Sequence, residues 1–320
     1  MKTLVDHMNL VFIAFSMANK NIKEMTGEEL TEESIGFFYH TLLNDYNKLF
    51  KTFGPVIVCH EGKGSLDWRR SIYPDYKRNR DKSKNEPAYL LLKKQFKIIE
   101  DLLEYFPVKQ IRIDGAEGDD VMYALSKYIV EEENEDVLLI TSDGDMIQVK
   151  ETISDRIDVF SPIKNKIMPA KPDIIRRKAI TGDSSDNIPG LYRVGPKTFD
   201  KMVEDENLWN EKMRGDNKEI YESFLKIVDL SEFPKKIHEE IINEYKRLDW
   251  NKFNPGEVEV FYFENNMMDH IHRWNNDVSD ITEKMVDCGF EIDHLFKTET
   301  LTKTDNSVKT EVDEMLSEFI

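Results

Sequence analysis

Cysteine is scarce in this sequence: only Cys59 and Cys288 are present, and they are too far apart to have the spacing of metal ligands. This scarcity excludes a disulfide framework and suits a reducing compartment. The chain also lacks a long apolar run, because the one at residues 10–18 is too short to span a bilayer and has no cleavage region. We therefore expect a cytoplasmic protein with no membrane segment.

Positive charge is in the minority, and its distribution is uneven. The net charge of −18 at first argues against a nucleic-acid partner. However, residues 63–97, the first basic island, contain eleven Lys and Arg against four Asp and Glu, and residues 171–201, the second basic island, contain seven against four. Residues 202–320 contain 14 basic and 29 acidic residues. The islands are candidate contacts to nucleic acid, while the acidic remainder would repel it from other faces.

The apolar pattern predicts an α/β fold. Short apolar runs predict strands at residues 3–5, 55–59, 111–113, 137–141 and 157–160. Helical periodicity predicts helices at residues 33–50, 90–105 and 118–131. Because strands and helices alternate, we expect a mostly parallel central sheet flanked by helices.

Three regions follow from this pattern. We expect an α/β domain at residues 1–170, a mainly helical domain at residues 171–301 and a mobile tail at residues 302–320. Residues 249–263 predict a short β-hairpin. The tail ends in an apolar cluster at residues 315–320, which either docks on a partner or folds back onto the helical domain.

Acidic residues recur where the predicted strands end. The candidate metal ligands are Asp6, Glu61, Glu117, Asp119, Asp120, Asp143 and Asp145, together with Asp183 and Asp186 in a later turn. The carboxyl ends of parallel strands form the ligand crevice of an open α/β sheet. So many carboxylates in one crevice repel one another unless a cation intervenes, and oxygen ligands suit Mg²⁺ or Mn²⁺. Two such ions can clamp the attacking and leaving oxygens of a phosphodiester.

Each acidic motif also has a plainer interpretation. Asp6 alone is typical of a helix or turn cap, and residues 117–120 are typical of the acidic first turn of a helix. Asp143 and Asp145 alone would suit a turn. Recurrence at successive strand ends favours the metal site.

The ordered motifs resemble the 5′-nuclease superfamily, which includes flap endonucleases, bacterial 5′–3′ exonuclease domains and the phage ribonuclease H and 5′-exonuclease branch. The resemblance covers residues 4–198 and rests on residues 5–6 with 12–15, 117–120, 141–145, 182–190 and 194–198. It implies a PIN-like nuclease domain, a helix–three-turn–helix unit and two Mg²⁺ ions. Asp6, Glu61, Glu117, Asp119 and Asp120 resemble the first-metal positions, and Asp143, Asp145, Asp183 and Asp186 the second. Glu61 departs from the usual Asp, and His7 and His60 stand where small or apolar residues are common.

The first basic island interleaves aromatic residues with cations, which suits stacking on bases and neutralisation of phosphates. The resemblance implies that Tyr76 stacks on a base and that Lys77 and Arg80 contact the scissile or adjacent phosphate. Arg69, Arg70 and Arg78 are further DNA-binding candidates. The alternative is a solvated, charged helix or loop.

The second basic island contains a candidate duplex-binding hairpin at residues 182–201. Gly190 and Gly195 allow close approach of a phosphate, the following helix N-terminus directs amides toward it, and Lys197 adds charge beside Thr198. The alternative is a plain Gly-Pro turn. Because backbone contacts carry no sequence information, we expect recognition of DNA structure.

The pattern predicts a monomeric, Mg²⁺-dependent nuclease, with Mn²⁺ as a substitute, and the resemblance implies that it acts on 5′ flaps, nicks or RNA primers during replication. The resemblance suggests a sliding clamp or a single-stranded-DNA-binding protein as partner of the tail. Two alternatives stay open: a PIN-type single-strand ribonuclease and a catalytically weak, structure-specific DNA-binding accessory.

Overall fold

A six-stranded sheet forms the centre of the protein, whose computed structural model describes residues 1–81, 83–265, 267–290 and 292. The strands are β1 (Lys2–Asp6), β2 (Val56–His60), β3 (Val108–Arg112), β4 (Val137–Ile140), β5 (Ile157–Ser161) and β6 (Lys166–Ile167). Their order is β3-β2-β1-β4-β5-β6, with the first five parallel and β6 antiparallel to β5. The α/β prediction is confirmed; β6 was missed.

Thirteen α-helices surround this sheet among the described residues. They are α1 (His7–Thr26), α2 (Gly36–Phe53), α3 (Asp67–Ile72), α4 (Pro87–Leu103), α5 (Gly118–Glu131), α6 (Val149–Thr152), α7 (Ile174–Thr181), α8 (Pro196–Glu204), α9 (Glu206–Lys212), α10 (Asp216–Val228), α11 (Lys235–Arg247), α12 (Pro255–Glu264) and α13 (Met268–Asp287). None of the described helices is long and apolar enough to cross a membrane.

The central strands are buried on both faces because helices cover each side. Leu4 of β1 packs with the helices α5 and α11, whereas its neighbour Val5 packs with α1, α2, α4 and the C-terminal helices. This alternation follows from the period of two along a strand. Parallel strands buried on both faces need continuous apolar runs, which is the pattern seen at β1, β2 and β4.

The C-terminal helices return to the sheet region. Helix α11 packs on α5, and α13 packs on α2, while α7, α8 and α10 enclose two smaller apolar clusters. The division of the chain at residue 170 therefore stays a prediction. The tail, residues 302–320, lies outside the described residues.

The predicted β-hairpin at residues 249–263 is wrong. Helix α12 occupies most of that segment, because Asn254 caps it by accepting from the Glu257 amide at 3.2 Å and Pro255 begins it. Proline is well suited to the first helical position, where no amide donor is needed.

Candidate functional site

The carboxyl ends of β1, β2 and β4 meet at one edge of the sheet. Asp6 ends β1 and caps α1, since its Oδ1 accepts from the Asn9 amide at 3.0 Å, and its Oδ2 accepts from the Thr141 hydroxyl at 2.9 Å. Thr141 follows β4 and leads into the turn that carries Asp143. The sequence therefore places these acids together because neighbouring parallel strands end together.

Helix α5 delivers its acids to the same edge. Asp119 lies in the first turn, and the charges of Asp143 and Asp6 act on its carboxyl group. Glu61 follows β2 and is exposed at the mouth of the crevice, beside a groove of about 410 Å³ that Glu117 and Lys77 also line.

The negative charges of the carboxylates in this crevice are poorly compensated by neighbouring positive charges. Burial raises the pKa of Asp6 to about 6, with the charges of Asp143 and Glu61 adding to it against two hydrogen bonds. Burial, followed by the charges of Asp143 and Asp6, raises the pKa of Asp119 well above its ordinary value. A carboxylate held in this way favours protonation or a bound cation. The all-oxygen donor set fits a hard divalent ion such as Mg²⁺.

A second group of acids lies beside the first. Oxygen atoms of Asp145, Asp183 and Asp186 lie within 4.8 Å of one another. The Nζ of Lys178 donates to Asp145, lies 3.2 Å from Asp183 and donates to Asp186 at 2.7 Å. Burial raises the pKa of Asp145 to about 6 although Lys178 opposes this. An ammonium group thus occupies the space among these three carboxylates.

Lys178 is a site residue that the sequence analysis missed. It lies in the last turn of α7 and is 8% exposed. Its position five residues before Asp183, within the second basic island, was the available signal.

The prediction that Arg69 contacts DNA is wrong, and that of Asp120 as a metal ligand stays a prediction. Arg69 is 1% exposed, so its side chain is not available to DNA. Its guanidinium donates to both oxygens of Asp120, at 2.7 and 3.0 Å, and to Glu117 at 2.6 Å. Asp120 also accepts from the Glu117 amide at 3.0 Å and is fully buried. Both oxygens of Asp120 therefore help to hold Arg69 and the start of α5.

Tyr76 is also placed differently from the prediction. Its side chain is 3% exposed, and its hydroxyl donates to Glu117 at 3.1 Å, so the ring is not available for stacking on a base. The next residue, Lys77, is buried and donates from Nζ to Glu117. Lys77 therefore presents its charge at the wall of the crevice.

The first basic island is tied to the turn that carries Asp183 and Asp186. The Lys77 amide donates to the Asp186 carbonyl at 2.9 Å, and Arg80 donates from Nη2 to the Asp186 carboxylate at 3.0 Å. The side chains of Arg80 and Arg78 are about half exposed. That of Arg70 is only 19% exposed and donates to the Tyr76 carbonyl at 2.9 Å. The two basic islands thus meet at the acidic cluster.

The predicted duplex-binding hairpin connects α7 to α8. Gly190 has φ +72°, and a Cβ there would lie 2.5 Å from the Gly182 nitrogen, so only glycine fits this close approach. Gly195 precedes α8, and Lys197 is exposed beside the half-buried Thr198. Tyr192, 75% exposed at the tip of the turn, was missed by the sequence analysis.

Residues 1–179 match the family model described as 5′-3′ exonuclease, N-terminal resolvase-like domain. The 5′-3′ exonuclease of Buchnera aphidicola subsp. Schizaphis graminum is 33% identical over 185 residues, which are 54% of this chain and 60% of that protein. The thermostable DNA polymerase I of Thermus aquaticus is 29% identical over 211 residues, 63% of this chain and 23% of that protein. The chain thus matches less than two thirds of the length of these relatives.

Two solved structures share the fold. A T5 5′-exonuclease with bound zinc ions has a TM-score of 0.51 and 19% identity, covering 77% of this chain and 98% of its own. A bacteriophage T5 flap endonuclease complex with DNA and metal ions has a TM-score of 0.53 and 20% identity, covering 77% and 99%.

Proposed function

The chain belongs to the 5′–3′ exonuclease family, whose model matches residues 1–179, and on this premise we propose that it hydrolyses phosphodiester bonds at 5′ ends, flaps or RNA primers with the help of divalent metal ions. The observation that carries the proposal is the meeting of the Asp6, Asp119 and Asp143 carboxyl groups at the strand ends, where burial and neighbouring carboxylates raise the pKa values of Asp6 and Asp119. Such groups at strand ends are typical of a functional site.

Two sets of side chains would hold the ions. The first set is Asp6, Asp119 and Asp143, with Glu61 at the mouth of the crevice, and the charges of these carboxylates act on one another. Glu117 lines the adjoining groove. Asp145, Asp183 and Asp186 form the second set, and an ion bound there would take the place of the Lys178 ammonium. When bound, divalent ions supply a nucleophilic water at neutral pH and offset the charge of the phosphate. The donor sets favour Mg²⁺, and Mn²⁺ is expected to substitute.

Lys77 and Arg80 are proposed to receive the scissile phosphate. Lys77 donates to Glu117 and lines the groove at the crevice wall, so its ammonium lies beside the space where phosphate charge would lie. Arg80 reaches the same space from the exposed side of the Asp186 carboxylate. Fixed cations beside a reacting phosphate stabilise the charge that develops on its oxygens.

The exposed hairpin between α7 and α8 is proposed to grip duplex DNA. Lys197 and the first-turn amides of α8 would contact the phosphate backbone, with the glycines allowing close approach. This grip supports the 5′-nuclease over a single-strand ribonuclease, because it selects substrates that contain duplex. Ribonuclease H activity, and a clamp or single-strand-binding protein as partner, are extensions of the proposal.

The test is digestion of end-labelled nicked, flapped and RNA–DNA hybrid duplexes with Mg²⁺, Mn²⁺ or neither. We expect release from the 5′ end with either ion, more slowly from single strands without duplex, and no release in EDTA. Equal cleavage of single strands and flaps would favour the ribonuclease alternative, and binding without cleavage would favour the accessory.

A further inference from the structure

A second group of potential metal ligands lies beside the carboxylate crevice. His7 begins α1, His60 ends β2, and Glu100 lies in α4. One ligand atom from each lies within 4.8 Å of the others, and the two imidazole rings are 4.4 Å apart between centroids. These ligands include two nitrogens, unlike the all-oxygen crevice.

One imidazole nitrogen in this group has no partner among the described residues. The Nδ1 of His7 is 2.8 Å from the Tyr46 hydroxyl, while its Nε2 is buried without a hydrogen bond. His7 is 1% exposed. A buried polar atom without a partner is costly, and a metal ion bound to Nε2 would remove that cost while Nδ1–H donates to Tyr46.

The other two candidate ligands, His60 and Glu100, both contact the Arg112 guanidinium. The Nη2 of Arg112 donates to His60 Nδ1 at 3.2 Å and to Glu100 Oε1 at 2.5 Å. On its other side, His60 Nε2 bonds to Gln110 Oε1 at 3.0 Å, which leaves the Nδ1 lone pair facing Arg112. The Arg112 side chain is 45% exposed, so it can swing into solvent and vacate this position.

We propose that His7, His60 and Glu100 form a binding site for a zinc-class divalent ion, such as Zn²⁺ or Co²⁺, which replaces the Arg112 guanidinium. Two imidazoles and one carboxylate are a common zinc set, whereas Mg²⁺ prefers oxygen ligands. Ligands of a tetrahedral zinc lie about 3.3 Å apart, given Zn–N distances of about 2.0–2.1 Å. Small side-chain shifts therefore close this site.

The site would be linked to the crevice through the backbone. His7 directly follows Asp6, and His60 directly precedes Glu61. A bound ion would thus hold together the two strand ends that carry these carboxylates. This proposal concerns a separate site and does not depend on nuclease activity.

The test is calorimetric titration of the full chain with Zn²⁺ in a large excess of Mg²⁺, which competes with Zn²⁺ for the carboxylate crevice. We expect one Zn²⁺ per chain. Glu100→Gln should weaken it at least about tenfold, since even loss of an outer partner of a metal ligand costs this much. Arg112→Ala should strengthen it, because the competing cation is gone. Asp143→Asn, the matched control in the crevice, should leave it unchanged.

Co²⁺ gives a second readout. Four-coordinate Co²⁺ with nitrogen ligands absorbs visible light more strongly than six-coordinate Co²⁺ among carboxylates, and His60→Gln should remove that absorption. Thermal unfolding of each variant without metal shows whether it is folded. Binding that Asp143→Asn abolishes, or that Glu100→Gln and Arg112→Ala both leave unchanged, would overturn the proposal.

Discussion

The Nζ of Lys178 donates to Oδ2 of Asp186 at 2.7 Å inside the acidic crevice, where both side chains are 8% exposed. The same ammonium contacts Asp145 and Asp183. This lysine therefore supplies the positive charge that keeps three neighbouring carboxylates together without metal.

Replacing Lys178 by Met should destabilise the metal-free protein by about 1–3 kcal/mol, because the half-buried Asp145 and Asp183 lose their cation while Asp186 keeps Arg80. Urea unfolding in EDTA measures the difference in the free energy of unfolding between the Met variant and the parent. Ca²⁺ should reduce this difference, because a divalent ion replaces the lost positive charge. Lys178→Arg, which keeps the charge, is the control. Unchanged stability of the Met variant in EDTA would refute this role.

Replacing Asp119 by Asn should stabilise the metal-free protein at pH 7.5. The pKa of Asp119 is raised by burial and by Asp143 and Asp6. A carboxyl group whose pKa is raised in the folded state contributes most to the free energy of unfolding below its unfolded-state pKa, near 4. That contribution is lost as the pH rises through the folded-state pKa. The melting temperature should therefore rise at pH 7.5 and stay unchanged near pH 4. The exposed Asp155→Asn serves as control, and a pH-independent effect would contradict the account.

Replacing Arg69 by Met should cost about 3–5 kcal/mol in stability, because Asp120 would be left as a buried charge without its cation, while Glu117 would keep Lys77. Arg78→Met, on the exposed side of the same island, should change stability little. Chemical unfolding compares the two. Similar stability of both variants would show that Arg69 is not the buried counter-ion described here.

Replacing Lys197 by Ala should weaken duplex binding about equally for all sequences and lower the salt slope by about 1, as expected for loss of one phosphate contact. Binding is measured in Ca²⁺ at several salt concentrations. Lys235→Ala, at an exposed lysine at the start of α11, should have no effect. A sequence-dependent loss would contradict a backbone grip.

The strand ends were predictable because buried parallel strands are apolar and the acids that follow them interrupt the pattern, as at Asp6 and Asp143. Helix α1 was missed because its first turns are apolar and lack a clear helical stripe. The environment of Arg69 was not predictable, because an arginine in a basic run has the same sequence signature whether it faces solvent or two buried carboxylates. Long-range pairing, here with α5, decides between them.

The His60 and Arg112 pairing shows the same limit. The sequence marks His7 and His60 as unusual beside acidic positions, but only the register of β2 against β3 places His60 opposite Arg112. Contacts between residues 52 positions apart are set by sheet register, which no local pattern reveals.

The most direct test of the proposed nuclease is the single-turnover cleavage rate of Asp143→Asn on a 5′-flap duplex in Mg²⁺. The Asn side chain can still accept from the Asp145 amide, a bond of 2.8 Å in the parent, so the turn should persist while one charge is lost. We predict a rate at least about 100-fold lower, with flap affinity in Ca²⁺ retained and Asp155→Asn fully active. A near-parental rate in Asp143→Asn would contradict the assignment of this crevice as the metal-dependent catalytic centre.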